Sequence, residues 1–324
     1  MQLATHDAKR RVALSGDGPL RLVRGVATML DLARRAIDEK STLAATAAKL
    51  GTEGTDDLDR ALAEGRLLPP ADHPEPARFH VTGTGLTHLG SAEARSSMHA
   101  KLAAGDLTDS MRMFKMGLEG GKPKNGAVGV QPEWFYKGHG GCVVSPSAPL
   151  PRPSFAQDGG DEAEVAGVYL IGDDGLPYRL GFALGNEFSD HVMEQVNYLY
   201  LAHSKLRACS FGPELLTGPL PASVRGRVSV LRSGTAAWSK EWLSGEDNMT
   251  HTVANLEAHQ FKYPIFRRPG DLHLHFFGTG AFSFKDGFRV ADGDVLKIEA
   301  EGFGRPLENP VKFESAGFVQ VKPL

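Results

Sequence analysis

Apolar positions recur at helical spacing early in the chain and then change rhythm. Thr28-Met-Leu-Asp-Leu-Ala-Arg-Arg-Ala-Ile37, the alanine-rich stretch to Leu50 and Asp57-Leu-Asp-Arg-Ala-Leu-Ala63 predict helices. Residues 1 to 77 are therefore expected to form a small N-terminal helical module with its linker. Four prolines between Leu68 and Pro76 break regular structure and set the boundary there. Beyond it, runs rich in β-branched and aromatic residues alternate with Gly- and Pro-rich turns: Arg78-Phe-His-Val-Thr82, Val165-Ala-Gly-Val-Tyr-Leu-Ile171, Arg227-Val-Ser-Val-Leu231 and Leu272-His-Leu-His-Phe-Phe277. Helical insertions are predicted at Ala92 to Met116, Val192 to Ala202 and Met249 to Gln260. The chain thus reads as α+β and β-rich, with a larger domain over residues 78 to 324.

Composition narrows the function classes. A length of 324 residues allows a sizeable core and more than one domain, while 41% hydrophobic and 23% charged residues are ordinary for a soluble globular chain. No apolar run approaches the roughly 20 residues of a membrane span, and the first residues lack the apolar core of a signal peptide. A cytoplasmic protein with no membrane partner is expected. The net charge of −3 comes with scattered Lys and Arg, which argues against a nucleic-acid surface and leaves small anionic substrates open. Cys142 and Cys209 are the two cysteines, too few for a disulfide framework, and both are expected to be reduced.

The candidate chemistry lies in Asp161-Glu-Ala-Glu-Val165. If the following run is a strand, Glu162 and Glu164 stand at i and i+2 and share a face. Glu187, in Gly185-Asn-Glu-Phe-Ser-Asp190, supplies a third acid. Three hard oxygen ligands without a nearby thiol suit Mg²⁺ or Mn²⁺ with positions left for water and substrate. A Glu-x-Glu alone is common at solvated strand ends; the surrounding motifs add the weight. His273 and His275 share a strand face but lack a third ligand and read as core, and His191-Val-Met-Glu194 has no zinc-site context. Neither a nucleophile elbow, a P-loop nor a dinucleotide fingerprint occurs.

Together with Pro132-Glu-Trp-Phe-Tyr-Lys-Gly138 upstream and Gly293-Asp-Val-Leu-Lys-Ile-Glu-Ala-Glu-Gly-Phe-Gly304 near the C-terminus, the pattern resembles the fumarylacetoacetate hydrolase superfamily from about Phe79 to Lys322. The resemblance implies a mixed β-roll or pseudo-barrel, usually a homodimer, with Glu162, Glu164 and Glu187 as the ligands of Mg²⁺ or Mn²⁺. Glu187 stands where the family normally has Asp, one methylene shorter. Lys137 resembles a lysine near the substrate carboxylate, and Lys205 a second family lysine, with Arg207 as the alternative holder of that role. Gly278-Thr279-Gly280 resembles a Gly-Thr-Pro turn whose threonine approaches the same carboxylate.

A departure from the family pattern points to the reaction. Hydrolases of this family carry Gly-x-Asn-Tyr-x-x-His-x-x-Glu, but counting from Gly85, Thr87 replaces the Asn, His88 the Tyr, and Ser91 stands at the His. Ser91-Ala-Glu-Ala-Arg95 is instead similar to the Ser-x-x-x-Arg of members that dehydrate 2-keto-3-deoxy sugar acids. The expectation is a metal-dependent hydro-lyase that converts a 2-keto-3-deoxypentonate, derived from L-arabinonate or D-xylonate, to 2-oxoglutarate semialdehyde. Lys205 or His88 would be the base, Ser91 would lie near the leaving hydroxyl, and Arg95, Lys137 and Thr279 would hold the carboxylate and polar tail. The alternatives are a 2,4-diketo-acid hydrolase cleaving a carbon–carbon bond and, from another class, a non-catalytic sugar-acid-binding protein. Residues 1 to 77 are assigned to packing or dimerisation.

Overall fold

The computed structural model describes residues 1–90, 107–124, 126–315, 317 and 319–324. Ser91 and Arg95, and most of the helix expected at Ala92 to Met116, lie outside the described residues. The end of that helix is seen as Asp109–Gly120, capped by Thr108, whose hydroxyl accepts the Met111 N–H.

The expected N-terminal helices form at Met29–Asp38, Leu43–Leu50 and Leu58–Ala63. Thr28, Thr42 and Asp57 cap them through their side chains. The reading of this region as helical is nevertheless corrected, because it also holds a five-stranded sheet in the order Thr52–Asp56, Leu20–Val23, Arg10–Leu14, Gln2–Ala4, Leu67–Leu68. These strands are two to five residues long, too short for period-two patterning to stand out from the sequence.

The larger sheet has seven strands in the order Phe135–His139, Phe79–Gly83, Leu272–Phe276, Ala163–Ile171, Pro177–Asn186, Cys209–Phe211, Val143–Val144. Ala163–Ile171 is buried along its whole length. Its alternate residues serve two cores: Ala166, Val168 and Leu170 pack with Phe79, Val81, Leu274 and the N-terminal Val12, Val23 and Leu32, whereas Ala163 and Val165 pack with Phe182, Val228, Trp242 and Phe277. The N-terminal unit therefore shares a core with the central sheet. A further five-stranded sheet, including Val224–Arg232 and Thr235–Ser244, closes the other side. Its edge strand Leu150–Arg152 is cut from the proline-rich segment and pairs in parallel with Leu307–Phe313. Among the described residues no helix is long and apolar enough to cross a membrane, and both cysteines are free.

Several imidazoles are buried in this β-rich body. Burial lowers His88 and His275 to about 3. His273 is pushed well below its ordinary value by burial and then by His80 and His275. A histidine whose folded pKa is depressed gives stability that is present above the unfolded value of about 6.5 and lost as pH falls toward the folded value. Glu133 and Asp161, raised first by burial, act in the opposite sense, so the difference between two proteins is the clean measure. His275→Gln is expected to lose stability more slowly than wild type on acidification, with the gap changing by about 1.4 kcal/mol per pH unit below pH ~6. Urea melts at pH 7.5, 5.5 and 4.5 check this; parallel curves would show that His275 takes up its proton in the native state.

Candidate active site

The hairpin of Ala163–Ile171 and Pro177–Asn186 brings the three acids together. Its register pairs Ala163 with Asn186 and Glu164 with Gly185, and the Glu187 N–H donates to the Glu162 carbonyl at 3.0 Å. Residues 23 and 25 positions apart are thereby brought across the open end of one hairpin. Asn186 Oδ1 accepts the Glu162 N–H at 3.2 Å and locks that end. Ligand atoms of Glu162, Glu164 and Glu187 lie within 4.8 Å of one another, and all three side chains are buried.

Two ammonium groups partly compensate them. Lys205 Nζ donates to Glu162 Oε1 and Oε2 at 2.9 and 3.0 Å and to Glu187 Oε2 at 2.8 Å. Burial works against the Lys205 charge, but Glu162, Glu187 and Glu194 outweigh it and hold its pKa well above the ordinary value. Lys137 Nζ donates to Glu187 Oε1 at 2.5 Å and to the Phe188 and Lys205 carbonyls, both at 2.9 Å. Burial tends to raise Glu187, yet Lys137 and then Lys205 bring it below the usual carboxylate range. Glu164 has no ion-pair partner among the described residues. It accepts the Gly278 N–H at 2.7 Å, and burial, followed by the charges of Glu162 and Glu187, pushes it well up.

This arrangement fits a divalent cation. The donor set is all oxygen, Lys205 already stands in as a cation between two of the carboxylates, and the third lacks one. Glycine at position 278 is required twice over: φ is +96°, and a Cβ there would lie 2.4 Å from Thr87 Oγ1 and 2.9 Å from the Thr84 carbonyl. Gly278→Ala is accordingly expected to shift the N–H that holds Glu164, weaken Mn²⁺ binding about tenfold and lower Tm. Titrating Mn²⁺ by electron paramagnetic resonance checks it, and unchanged affinity would mean that Glu164 is oriented without this bond.

Glu162 and Glu164 open onto a cavity of about 570 Å³ whose lining also includes His88, Glu133, Lys205 and Thr279, while Glu187 lies fully buried beside them. His88 is tied at both ring nitrogens, Nδ1 to Thr87 Oγ1 at 3.0 Å and Nε2 to Ser244 Oγ at 2.9 Å. Thr279 lies on the same wall, its hydroxyl donating to the Ala281 carbonyl at 3.2 Å. Lys137 is placed elsewhere: fully buried behind Glu187, it faces the carboxylate and not the cavity. Arg207 also turns away, donating to Asp190 Oδ2 at 3.1 Å.

Three groups here escaped the sequence reading. Glu133 is buried on the cavity wall, accepts the Tyr198 hydroxyl, and is raised by burial. A Cβ at Gly85 would lie 1.8 Å from Glu133 Oε1, so this glycine permits the close approach. His191, passed over for lack of a zinc context, meets Glu162 Oε1 through Nε2 at 2.8 Å. Phe282 stacks on the His191 ring at 4.7 Å. The signal available for His191 was its place four residues after Glu187, at the start of the helix His191–Val196.

Comparison with known proteins places the fold. No known family's sequence model matches the chain. The fold is that of the fumarylacetoacetate hydrolase superfamily, as the motifs implied. A 2-keto-3-deoxy-D-arabinonate dehydratase, solved with magnesium and 2,5-dioxopentanoate, matches with a TM-score of 0.70 at 18% identity, over 97% of this chain and 99% of that one. A 5-carboxymethyl-2-hydroxymuconate delta-isomerase from Mycobacterium smegmatis matches with a TM-score of 0.59 at 20% identity, over 98% of this chain and 100% of that one. In sequence, a probable 2-keto-3-deoxyxylonate dehydratase of Haloferax volcanii is 26% identical over 316 residues, covering 95% of this chain and 94% of that protein.

Proposed function

We propose that the chain is a divalent-metal-dependent hydro-lyase that dehydrates a 2-keto-3-deoxypentonate to 2-oxoglutarate semialdehyde. The observation that carries the reading is the buried trio Glu162, Glu164 and Glu187 beside Lys205, with Glu162, Glu164 and Lys205 on the wall of a cavity. The two similar dehydratases support the substrate class, and the 2,5-dioxopentanoate bound in one of them is the semialdehyde expected here.

Glu162, Glu164 and Glu187 would hold Mg²⁺ or Mn²⁺. Bound there, the ion would supply Lewis acidity at the keto oxygen and positive charge beside the carboxylates that hold the Lys205 ammonium. Dehydration requires a base for a C3 proton and an acid for the C4 hydroxyl, which departs as water; the resulting 3,4-unsaturated 5-alcohol then tautomerises through a dienol, losing a C5 proton and gaining protons at C3 and C4, to give the aldehyde. We assign the base to Lys205, which stands at the carboxylates. His88 is the weaker candidate: burial lowers it to about 3, and both of its ring nitrogens are engaged by the Thr87 and Ser244 hydroxyls. Glu133, raised by burial and on the cavity wall, would give its proton to the leaving hydroxyl. Thr279 and the ammonium of Lys285 at the cavity margin would receive the substrate's polar ends. Roles for Ser91 and Arg95 remain proposals from the motif. Lys137 is reassigned from the substrate to Glu187.

A homodimer in the cytoplasm belongs to the same proposal. Val196, Leu199 and Tyr200 are 64%, 83% and 45% exposed beside the cavity-lining Tyr198 and Leu201, apolar surface of the kind a second copy covers. Sedimentation as a monomer at micromolar concentration would remove the dimer. The function is tested by NMR of Mg²⁺-loaded protein with 2-keto-3-deoxy-L-arabinonate and with its D-epimer, each with an EDTA control. An aldehyde product lost with EDTA supports dehydration and identifies the epimer. Pyruvate from a 2,4-diketo acid, with no aldehyde from either pentonate, would replace it with hydrolysis.

A further inference from the structure

Beyond the three carboxylates, we infer that His191 is a positioning residue which joins the metal-binding carboxylates to the substrate wall. It aims Glu162 through Nε2 and supports Phe282 on its ring face; the inference rests on the metal reading above. The geometry runs through consecutive contacts. Asp158 Oδ2 meets His191 Nδ1 at 3.4 Å, and His191 Nε2 meets Glu162 Oε1 at 2.8 Å. His191 and Asp158 are 4% and 5% exposed, so neither contact competes with bulk water. Gly160 permits this packing, since a Cβ there would lie 2.5 Å from His191 Nδ1.

The ring face does the second task. Phe282 stacks on it at 4.7 Å with 12° between the planes, and Phe284 leans in at 5.2 Å. Both phenylalanines line the cavity. Their segment is fixed a second time by Asp161, whose carboxylate oxygens accept the Ser283 N–H at 3.2 and 3.3 Å. Asp161 directly precedes Glu162, so the wall and the ligand are anchored at one point of the chain. A residue that only filled space would need neither two aligned ring nitrogens nor carboxylates at both. Groups that orient a metal's ligands characteristically change affinity 10- to 100-fold when removed.

The two tasks can be separated by substitution in the full chain, with Mn²⁺ alone as the first probe and its uptake followed by electron paramagnetic resonance. His191→Phe keeps the stacked ring and removes both ring nitrogens; Mn²⁺ affinity is expected to fall about 10- to 100-fold. His191→Gln keeps a donor for Glu162 and removes the ring; Mn²⁺ affinity is expected to stay within about threefold of wild type, while KM for the 2-keto-3-deoxypentonate rises. A folded His191→Phe protein that binds Mn²⁺ as wild type does would overturn the inference. Should that variant fail to fold, Asp158→Asn reads the same affinity, where weakening supports the inference and no change overturns it. Wild-type protein that takes up no Mn²⁺ would instead sink the metal reading itself, whatever the variants do.

Discussion

Glu164→Gln is expected to abolish metal-dependent turnover and yet to stabilise the metal-free protein at high pH. The loss should reach about 10³-fold or more, because Lewis-acid stabilisation is worth several kcal/mol and each 1.36 kcal/mol is a factor of ten. The stability gain follows from the sign of the Glu164 shift. Burial and the neighbouring charges of Glu162 and Glu187 raise its pKa, so its contribution is full below the unfolded value near 4.5 and is lost as pH rises through the folded value. Glutamine keeps an oxygen for the Gly278 N–H and has no charge to bury. In EDTA the variant should therefore match wild type near pH 5 and exceed it at pH 9, each 1 kcal/mol appearing as about 2 °C in Tm. Adding Mg²⁺ should reverse the order, since wild type alone gains binding energy on folding. Thermal melts at both pH values, with and without Mg²⁺, check the crossing. A variant less stable than wild type in EDTA at pH 9 would remove the view that these carboxylates repel one another.

That trade between stability and function explains which parts of the site can be read from sequence. Glu162 and Glu164 are legible because a strand places i and i+2 on one face, and the run that follows is unmistakably a strand. Glu187 is legible only by resemblance to other chains, since its place depends on a hairpin register that periodicity does not fix. His191 and Glu133 are harder still. Their chemistry depends on where a side chain ends after a turn, and on glycines, at positions 160 and 85, that let another atom approach. In the N-terminal region the helices announce themselves through capping residues, whereas its strands are short and carry charged residues such as Arg10, Arg11 and Arg21. Core sharing between that region and the central sheet leaves no local mark, because Val12 or Leu32 looks the same whichever neighbour it meets.

Lys137 shows both how close sequence reasoning can come and what it misses. Its strand, Phe135–His139, alternates: Phe135 and Lys137 are buried and Tyr136 is exposed. A lysine sharing a face with a buried phenylalanine points inward, and inward here means toward Glu187. Lys137→Met is expected to destabilise the protein by about 3 kcal/mol, the lower end of the usual cost of removing one partner from a buried ion pair, because Lys205 still pairs with Glu187. The penalty has two sources. Glu187, fully buried, loses the cation that contributes most to holding its pKa down, and the Phe188 and Lys205 carbonyls lose the donor that joins them. Lys137→Met with Glu187→Gln should recover much of the loss, since the double variant buries no unpaired charge. A lysine that served only the substrate carboxylate would behave differently, raising KM with little change in the midpoint of urea unfolding. Measuring both quantities on the single and double variants separates the two roles: a stable single variant with a raised KM would return Lys137 to the substrate, while an unstable one rescued by Glu187→Gln fixes it as the support of the third metal ligand.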